Sequence, residues 1–189
     1  MISAVILAAG QSARLGEPKQ LVPWQGMTLL DFTISVIQKS GIEDIVLVLG
    51  ASADEIRKTI NKHQLRIVYN VSWATGKASS IRAGLNAISF TSTGALFFLC
   101  DQPYLSSDLI CSIVQAGDSS NTDIIAPAVG DQLSNPVLFK KRIFPAFYAL
   151  QGEEGGKNLF LKYEVQRVPW KDERILLDID TQEDLKKLT

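Results

Sequence analysis

Ile2 to Leu7 is apolar but for Ser3, rich in β-branched and aliphatic residues, and it predicts a strand covered on both faces. The period then changes. Leu29, Leu30, Ile34 and Ile37 recur at helical spacing and predict a helix from Thr28 to Gln38, opened by a Thr28/Asp31 capping pair and closed near Gly41. Asp44 to Leu49 predicts a second covered strand, Ala53 to Asn61 a helix, and Arg66 to Tyr69 a third strand. The alternation continues with a helix over Ala78 to Ile88 and a strand over Ala95 to Cys100. A helix over Ser107 to Gln115, capped at Ser106 or Ser107, and a strand over Asp123 to Ala126 complete it. Strands and helices alternating at these lengths imply an α/β fold, a parallel sheet with helices on both faces.

Beyond residue 127 the pattern loosens. Asn135 to Phe139 predicts a strand, Lys140 to Ala149 and Lys157 to Tyr163 short helices, Gln166 to Val168 an edge strand, and Thr181 the start of a last helix. No Ser-rich or Pro-rich linker separates this stretch, so 1–189 is expected to form one domain.

Composition narrows the class. Of 189 residues, 46% are hydrophobic, enough for one substantial core, while a net charge of −1 without a basic run leaves no footprint for nucleic acid or an anionic membrane. No apolar run approaches membrane-spanning length and the N-terminus lacks a basic n-region, so a cytoplasmic protein is expected. The two cysteines, Cys100 and Cys111, have no metal or redox spacing and are expected in the core.

The candidate chemistry starts where the first strand ends. In Leu7-Ala8-Ala9-Gly10-Gln11-Ser12-Ala13-Arg14-Leu15-Gly16-Glu17-Pro18-Lys19, Gly10 and Gly16 permit positive φ and close backbone approach to an anion, while Arg14 and Lys19 add charged donors. The spacing matches neither the dinucleotide fingerprint nor the P-loop, yet the segment reads as a phosphate cradle for a nucleoside triphosphate. A surface turn with solvated cations is the plainer alternative. Asp101 follows the strand over Ala95 to Cys100 and puts a carboxylate at the edge where such sheets bind ligands; an Asx turn before Pro103 is the alternative. A triphosphate brings Mg²⁺, held by one or two carboxylates and by phosphate oxygens, and Asp101 is the first candidate ligand. Leu177-Asp178-Ile179-Asp180-Thr181 supplies the second, Asp180 being expected at the metal with Asp178 turned to the opposite face. Asp180 equally suits a helix N-terminus. Gly76-Lys77-Ala78-Ser79-Ser80 forms a second small-residue loop, whose serines suit a base edge or a helix cap. His63 is expected exposed; Trp24, Trp73 and Trp170 read as packing residues, with ligand stacking the lesser reading for Trp73.

Together LAAGQSARLGEPK, GKASSIRAG, CDQP, NPVLF, GEEGGK and DIDTQEDL resemble, in order and approximate spacing over nearly the whole chain, the molybdenum cofactor cytidylyltransferases and related guanylyltransferase-like proteins of the MobA-like NTP transferase family. The resemblance implies a Rossmann-like, three-layer αβα sandwich of the nucleotide-diphospho-sugar transferase type. It also implies transfer of a nucleoside monophosphate from a triphosphate to a phosphorylated acceptor, with pyrophosphate released. It assigns Leu7, Ala8, Ala9, Gly10, Arg14 and Lys19 to the triphosphate, Gly76, Ser79 and Ser80 to the base, and Asp101 and Asp180 to Mg²⁺, with Mn²⁺ as the other candidate. Lys19, Arg14 and Asp101 are the implied catalytic groups. Residues 1–127 become the nucleotide part and 128–189 the acceptor part with the second metal ligand. LAAG rather than LAGG resembles the cytidylyl branch, so CTP is expected, GTP being the alternative; molybdopterin is the expected acceptor, and a molybdenum hydroxylase the implied recipient of the product. A different small-molecule phosphate nucleotidyltransferase, or a non-catalytic nucleotide-binding cofactor chaperone, are the other readings. Three positions depart from the family pattern: Ser134, the Gly152 to Lys157 segment, and Gln182.

Overall fold

The β1 strand (Ile2–Ala8) is buried on both faces, and its alternating side chains feed two separate cores. Ala4, Ile6 and Ala8 point to one, Val5 to the other. The computed structural model describes residues 1–60 and 64–187, so the readings made for Asn61 and His63 lie outside the described residues. After β1 come a short hairpin, β2 (Pro23–Trp24) and β3 (Met27–Thr28), and the first helix, α1 (Leu29–Lys39). The Thr28 side chain caps α1, accepting from the Asp31 amide at 3.0 Å and donating to its carboxylate at 2.8 Å. There follow β4 (Ile45–Leu49), α2 (Ala53–Thr59), β5 (Arg66–Tyr69), α3 (Lys77–Leu85), β6 (Gly94–Leu99), α4 (Ser107–Ser119) and β7 (Ile124–Val129). The remainder is β8 (Gln132–Leu133), β9 (Val137–Lys140), α5 (Phe144–Tyr148), β10 (Val165–Pro169) and α6 (Gln182–Leu185).

Among the described residues the main sheet has eight strands in the order β10-β7-β9-β6-β1-β4-β5, with β8 paired to β7. The pairs β1/β4, β1/β6, β4/β5 and β10/β7 are parallel, as the alternation requires. The β9 strand is the exception, antiparallel to both β6 and β7. Its connection from β7 is a turn at Gly130 and the short β8 rather than a helical crossover, and so short a connection reverses the chain. Helices cover both faces: Leu30, Ile34 and Ile37 of α1, Ile56 of α2 and Leu109, Ile110 and Ile113 of α4 pack on one. Ile81 and Leu85 of α3 and Phe147 of α5 pack on the other. The result is the three-layer αβα sandwich with a mostly parallel sheet.

Several expectations change. Cys100 is buried but Cys111 is exposed, because α4 turns Ile110 and Ile113 inward and leaves position 111 on its flank beside Ser40. The stretch expected as one helix over Lys140 to Ala149 starts as a strand residue, makes a 3₁₀ turn (Lys141–Ile143) and only then becomes α5; Gly156–Leu161 is likewise 3₁₀. Trp24 and Trp170 pack against the core, the Trp24 indole donating to the Pro103 carbonyl at 2.9 Å. No helix among the described residues is long and apolar enough to cross a membrane.

Candidate active site

The C-terminal ends of β1 and β6 open onto a cavity of about 650 Å³, within the range of small-molecule sites. The β1 loop is held open by its own contacts. Leu15 is buried against Val22, Leu29 and Ile179, the Ser12 carbonyl accepts from the Leu15 and Gly16 amides, and Ser12 Oγ accepts from the Lys19 amide at 3.1 Å. Gly16 turns at φ +83, a conformation that only glycine adopts cheaply. Gly10 differs from the expectation: its φ is not positive and a Cβ there would meet nothing within 4 Å. The protein itself therefore leaves open space above Gly10.

Lys19 leaves this loop and reaches two acids brought from the far end of the chain and from β6. Its ammonium is 2.9 Å from Asp101 Oδ2 and 2.7 Å from Asp180 Oδ1, and Arg14 lies 2.9 Å from Asp180 Oδ2. The backbone holds the acids together, since the Ile179 amide donates to the Asp101 carbonyl at 2.8 Å and Ile179 itself is wholly buried. Burial works against the Lys19 ammonium, but the charge of Asp101 and the hydrogen bonds to both carboxylates outweigh it and raise its pKa. The hydrogen bond from Lys19 likewise lowers the pKa of Asp180.

Asp101 Oδ1 is buried with no protein partner, an acceptor left unsatisfied by the fold in a residue that lines the cavity. Among the described residues no three His, Cys, Asp or Glu side chains form a group able to hold a metal. A pair of carboxylates completed by phosphate oxygens is instead how Mg²⁺ is held, and Asp101 with Asp180 fits that donor set.

Asp178 does not turn away. Residues two apart in extended backbone share a face, so Asp178 and Asp180 both line the cavity while Ile179 between them enters the core. Asp178 keeps contact with solvent, yet the protein crowding its carboxyl, followed by the charge of Asp101, pushes its pKa up to about 6.

The other expected residues divide. Leu7, Ala9, Gly10, Arg14, Lys19, Ser80, Asp101 and Asp180 line the cavity, whereas Ala8, Gly76 and Ser79 do not. Ala8 packs in the core and its carbonyl accepts from buried Gln20 at 2.9 Å. Gly76 is structural: at φ +111, an added Cβ would lie 2.2 Å from the Gly152 backbone. Ser79 donates within its own turn, 2.8 Å from the Gly76 carbonyl, and caps nothing: the helix has Gly76 at its N-cap and no side-chain cap. Trp73 lines the cavity. The departures from the family pattern have local partners: Ser134 Oγ donates to the Ile175 carbonyl at 2.8 Å, and Gln182 Nε2 donates to the Leu15 carbonyl at 2.7 Å, tying α6 to the β1 loop. Glu153 and Lys157 of the third departure reach the cavity wall. Sequence reasoning missed Asn70, which joins Ser79 and Ser80; its place directly after β5, at the ligand edge of the sheet, was the available signal.

Comparison with known proteins agrees with this geometry. Residues 4–168 match the MobA-like NTP transferase domain. The chain is 29% identical to nicotine blue oxidoreductase of Paenarthrobacter nicotinovorans, over 99% of this chain and 96% of that one. It is 27% identical to molybdenum cofactor cytidylyltransferase of Escherichia coli K12, covering 97% and 93%. Rv0371c of Mycobacterium tuberculosis superposes with a TM-score of 0.88 at 29% identity, over 99% of this chain and 96% of that one. Its manganese complex does so at 0.86 and 28%, covering 99% and 97%. The β1 loop, the paired acids and the match over most of the chain converge: the chain belongs to the MobA-like NTP transferase domain family and is a nucleotidyltransferase.

Proposed function

We propose that this protein transfers CMP from CTP to a phosphorylated, molybdopterin-type acceptor and releases pyrophosphate. The observation that carries this reading is the convergence of Lys19, Arg14, Asp101 and Asp180 in the cavity that Gly10 also lines. In the reaction an acceptor phosphate oxygen forms a bond to the α-phosphorus, and the bond from that phosphorus to the bridging oxygen breaks. Its electron pair leaves with pyrophosphate, and no covalent enzyme intermediate is needed.

Catalysis of this kind rests on alignment and charge neutralisation. Lys19 and Arg14 supply cationic donors, and the loop amides near Gly10 add uncharged ones. Asp101 and Asp180 would hold Mg²⁺, or Mn²⁺, through their carboxylates, in exchange for part of their pairing with Lys19 and Arg14. Bound there, the ion supplies charge neutralisation at the triphosphate oxygens. Residues 1–127 then carry the nucleotide, and 128–189 the acceptor side with Asp180. CTP is favoured over GTP because position 9 lies in the cavity wall and carries alanine, where a glycine would leave more room. The product would pass in the cytoplasm to a molybdenum hydroxylase.

The test is pyrophosphate release from CTP and a molybdopterin-type acceptor, with and without Mg²⁺. Mg²⁺-dependent release is expected; nucleotide binding without any release would point to a cofactor chaperone, and release only from GTP to the guanylyl branch. A reduced nicotinamide dinucleotide belongs in the same series because one relative is named an oxidoreductase. Binding of that dinucleotide, and of no triphosphate, would overturn the transfer reading.

A further inference from the structure

Asn70 is buried just past the end of β5, its amide donating to the Leu49 carbonyl at 2.8 Å. Its side chain has one possible orientation. Oδ1 accepts from the Ser72 backbone N–H at 3.0 Å, and because a backbone N–H only donates, Nδ2 must face the other way. Nδ2 is 2.8 Å from Ser79 Oγ and 3.0 Å from Ser80 Oγ, so its two protons meet two hydroxyl oxygens.

The two serines then part. Ser79 spends its proton on a carbonyl, Gly76 at 2.8 Å or Ser72 at 3.0 Å, and does not reach the cavity. Ser80 lines the cavity, accepts from Asn70, and finds no protein acceptor for its own proton among the described residues. Asn70 holds one lone pair of the Ser80 oxygen, and the hydroxyl proton, with no protein acceptor, is left to the cavity as an O–H donor.

We infer that Asn70 is a positioning residue that fixes Ser80 as a hydrogen-bond donor to the nucleobase, and that this donor selects a pyrimidine 2-carbonyl over the N–H-bearing edge of guanine. The inference rests on the nucleotidyl-transfer reading above. A polar site matched in this way discriminates because a base edge without an acceptor leaves the buried Ser80 proton unpaired.

The test measures dissociation constants for MgCTP and MgGTP with the full-length protein, Ser80→Ala, Asn70→Ala and the double variant. Ser80→Ala is expected to weaken CTP about tenfold and to lower the CTP/GTP preference by a similar factor. Asn70→Ala should do the same, and the double variant should be no worse than either single one, since Asn70 acts through Ser80. Asn70→Asp keeps the bond from the Ser72 amide but draws the Ser80 proton away from the cavity, so it should also collapse the CTP/GTP ratio. Its melting temperature separates that effect from misfolding. Additive losses in the double variant, or equal weakening of CTP and GTP in every variant, would overturn the inference alone. Failure of the unmodified protein to bind either triphosphate would overturn the transfer reading as well.

Discussion

The Lys19 ammonium donates to Asp101 Oδ2 at 2.9 Å, across 82 positions of sequence, and so sits as a cation between the two acids assigned to the metal. Lys19→Ala therefore has opposite effects on two quantities. Removing an alignment and charge-neutralising group is expected to lower pyrophosphate release about a thousandfold. Leaving Asp101 and Asp180 without their cation should cost about 1–3 kcal/mol of stability and tighten binding of Mn²⁺ in the absence of nucleotide. Electron paramagnetic resonance of free Mn²⁺ reads the second effect; an unchanged or weaker Mn²⁺ affinity would contradict it.

Gly10 and Gly76 should part when each is replaced by alanine. At Gly10 the new methyl meets nothing within 4 Å, so stability should change by less than about 1 kcal/mol while CTP affinity falls by about tenfold or more. At Gly76 the methyl collides with the Gly152 backbone at φ +111, and unfolding should become easier by more than about 2 kcal/mol. Urea titrations and CTP binding on the two variants check the contrast, which fails if Gly10→Ala binds CTP normally.

Asp178 gives the metal-free protein a pH signature. Its pKa rises from 3.8 to about 6, so between these values the folded protein keeps a proton that the unfolded chain releases. Stability contributed by this residue is thus lost as pH rises through that window. Asp178→Asn should flatten the slope and, after allowance for the carboxyl's solvent contact, raise the melting temperature at pH 7 by about 2 °C. Scans from pH 4 to 7 in chelator test this; an unaltered slope would show that Asp178 titrates normally.

Much of this architecture was legible because β1, β4 and β6 are covered on both faces and so read as nearly continuous apolar runs, while α1 and α4 carry helical spacing behind capping residues Thr28 and Ser106. What escaped was short or long-range. The β2–β3 hairpin has two residues per strand, too few for a period, and β9 is antiparallel because of where it inserts, which no local pattern encodes. At the site, Lys19, Asp101 and Asp180 were visible as charged residues at element ends. The Asn70–Ser80 contact was not, since polarity at Ser80 depends on a side chain ten positions away. Gly10 lacks the positive φ that its type permits, and the Ser79 hydroxyl is turned to the Gly76 carbonyl, two local conformations that residue type alone does not encode.

The central claim is a triphosphate site selective for CTP that works with a divalent cation. Its most direct test is the melting temperature of the protein with CTP, GTP, ATP or UTP, each with and without Mg²⁺, since a ligand bound only by the folded state must raise it. The largest Mg²⁺-dependent rise is expected with CTP; a rise largest with GTP would contradict the cytidylyl assignment, and no rise with any nucleotide would contradict the site itself.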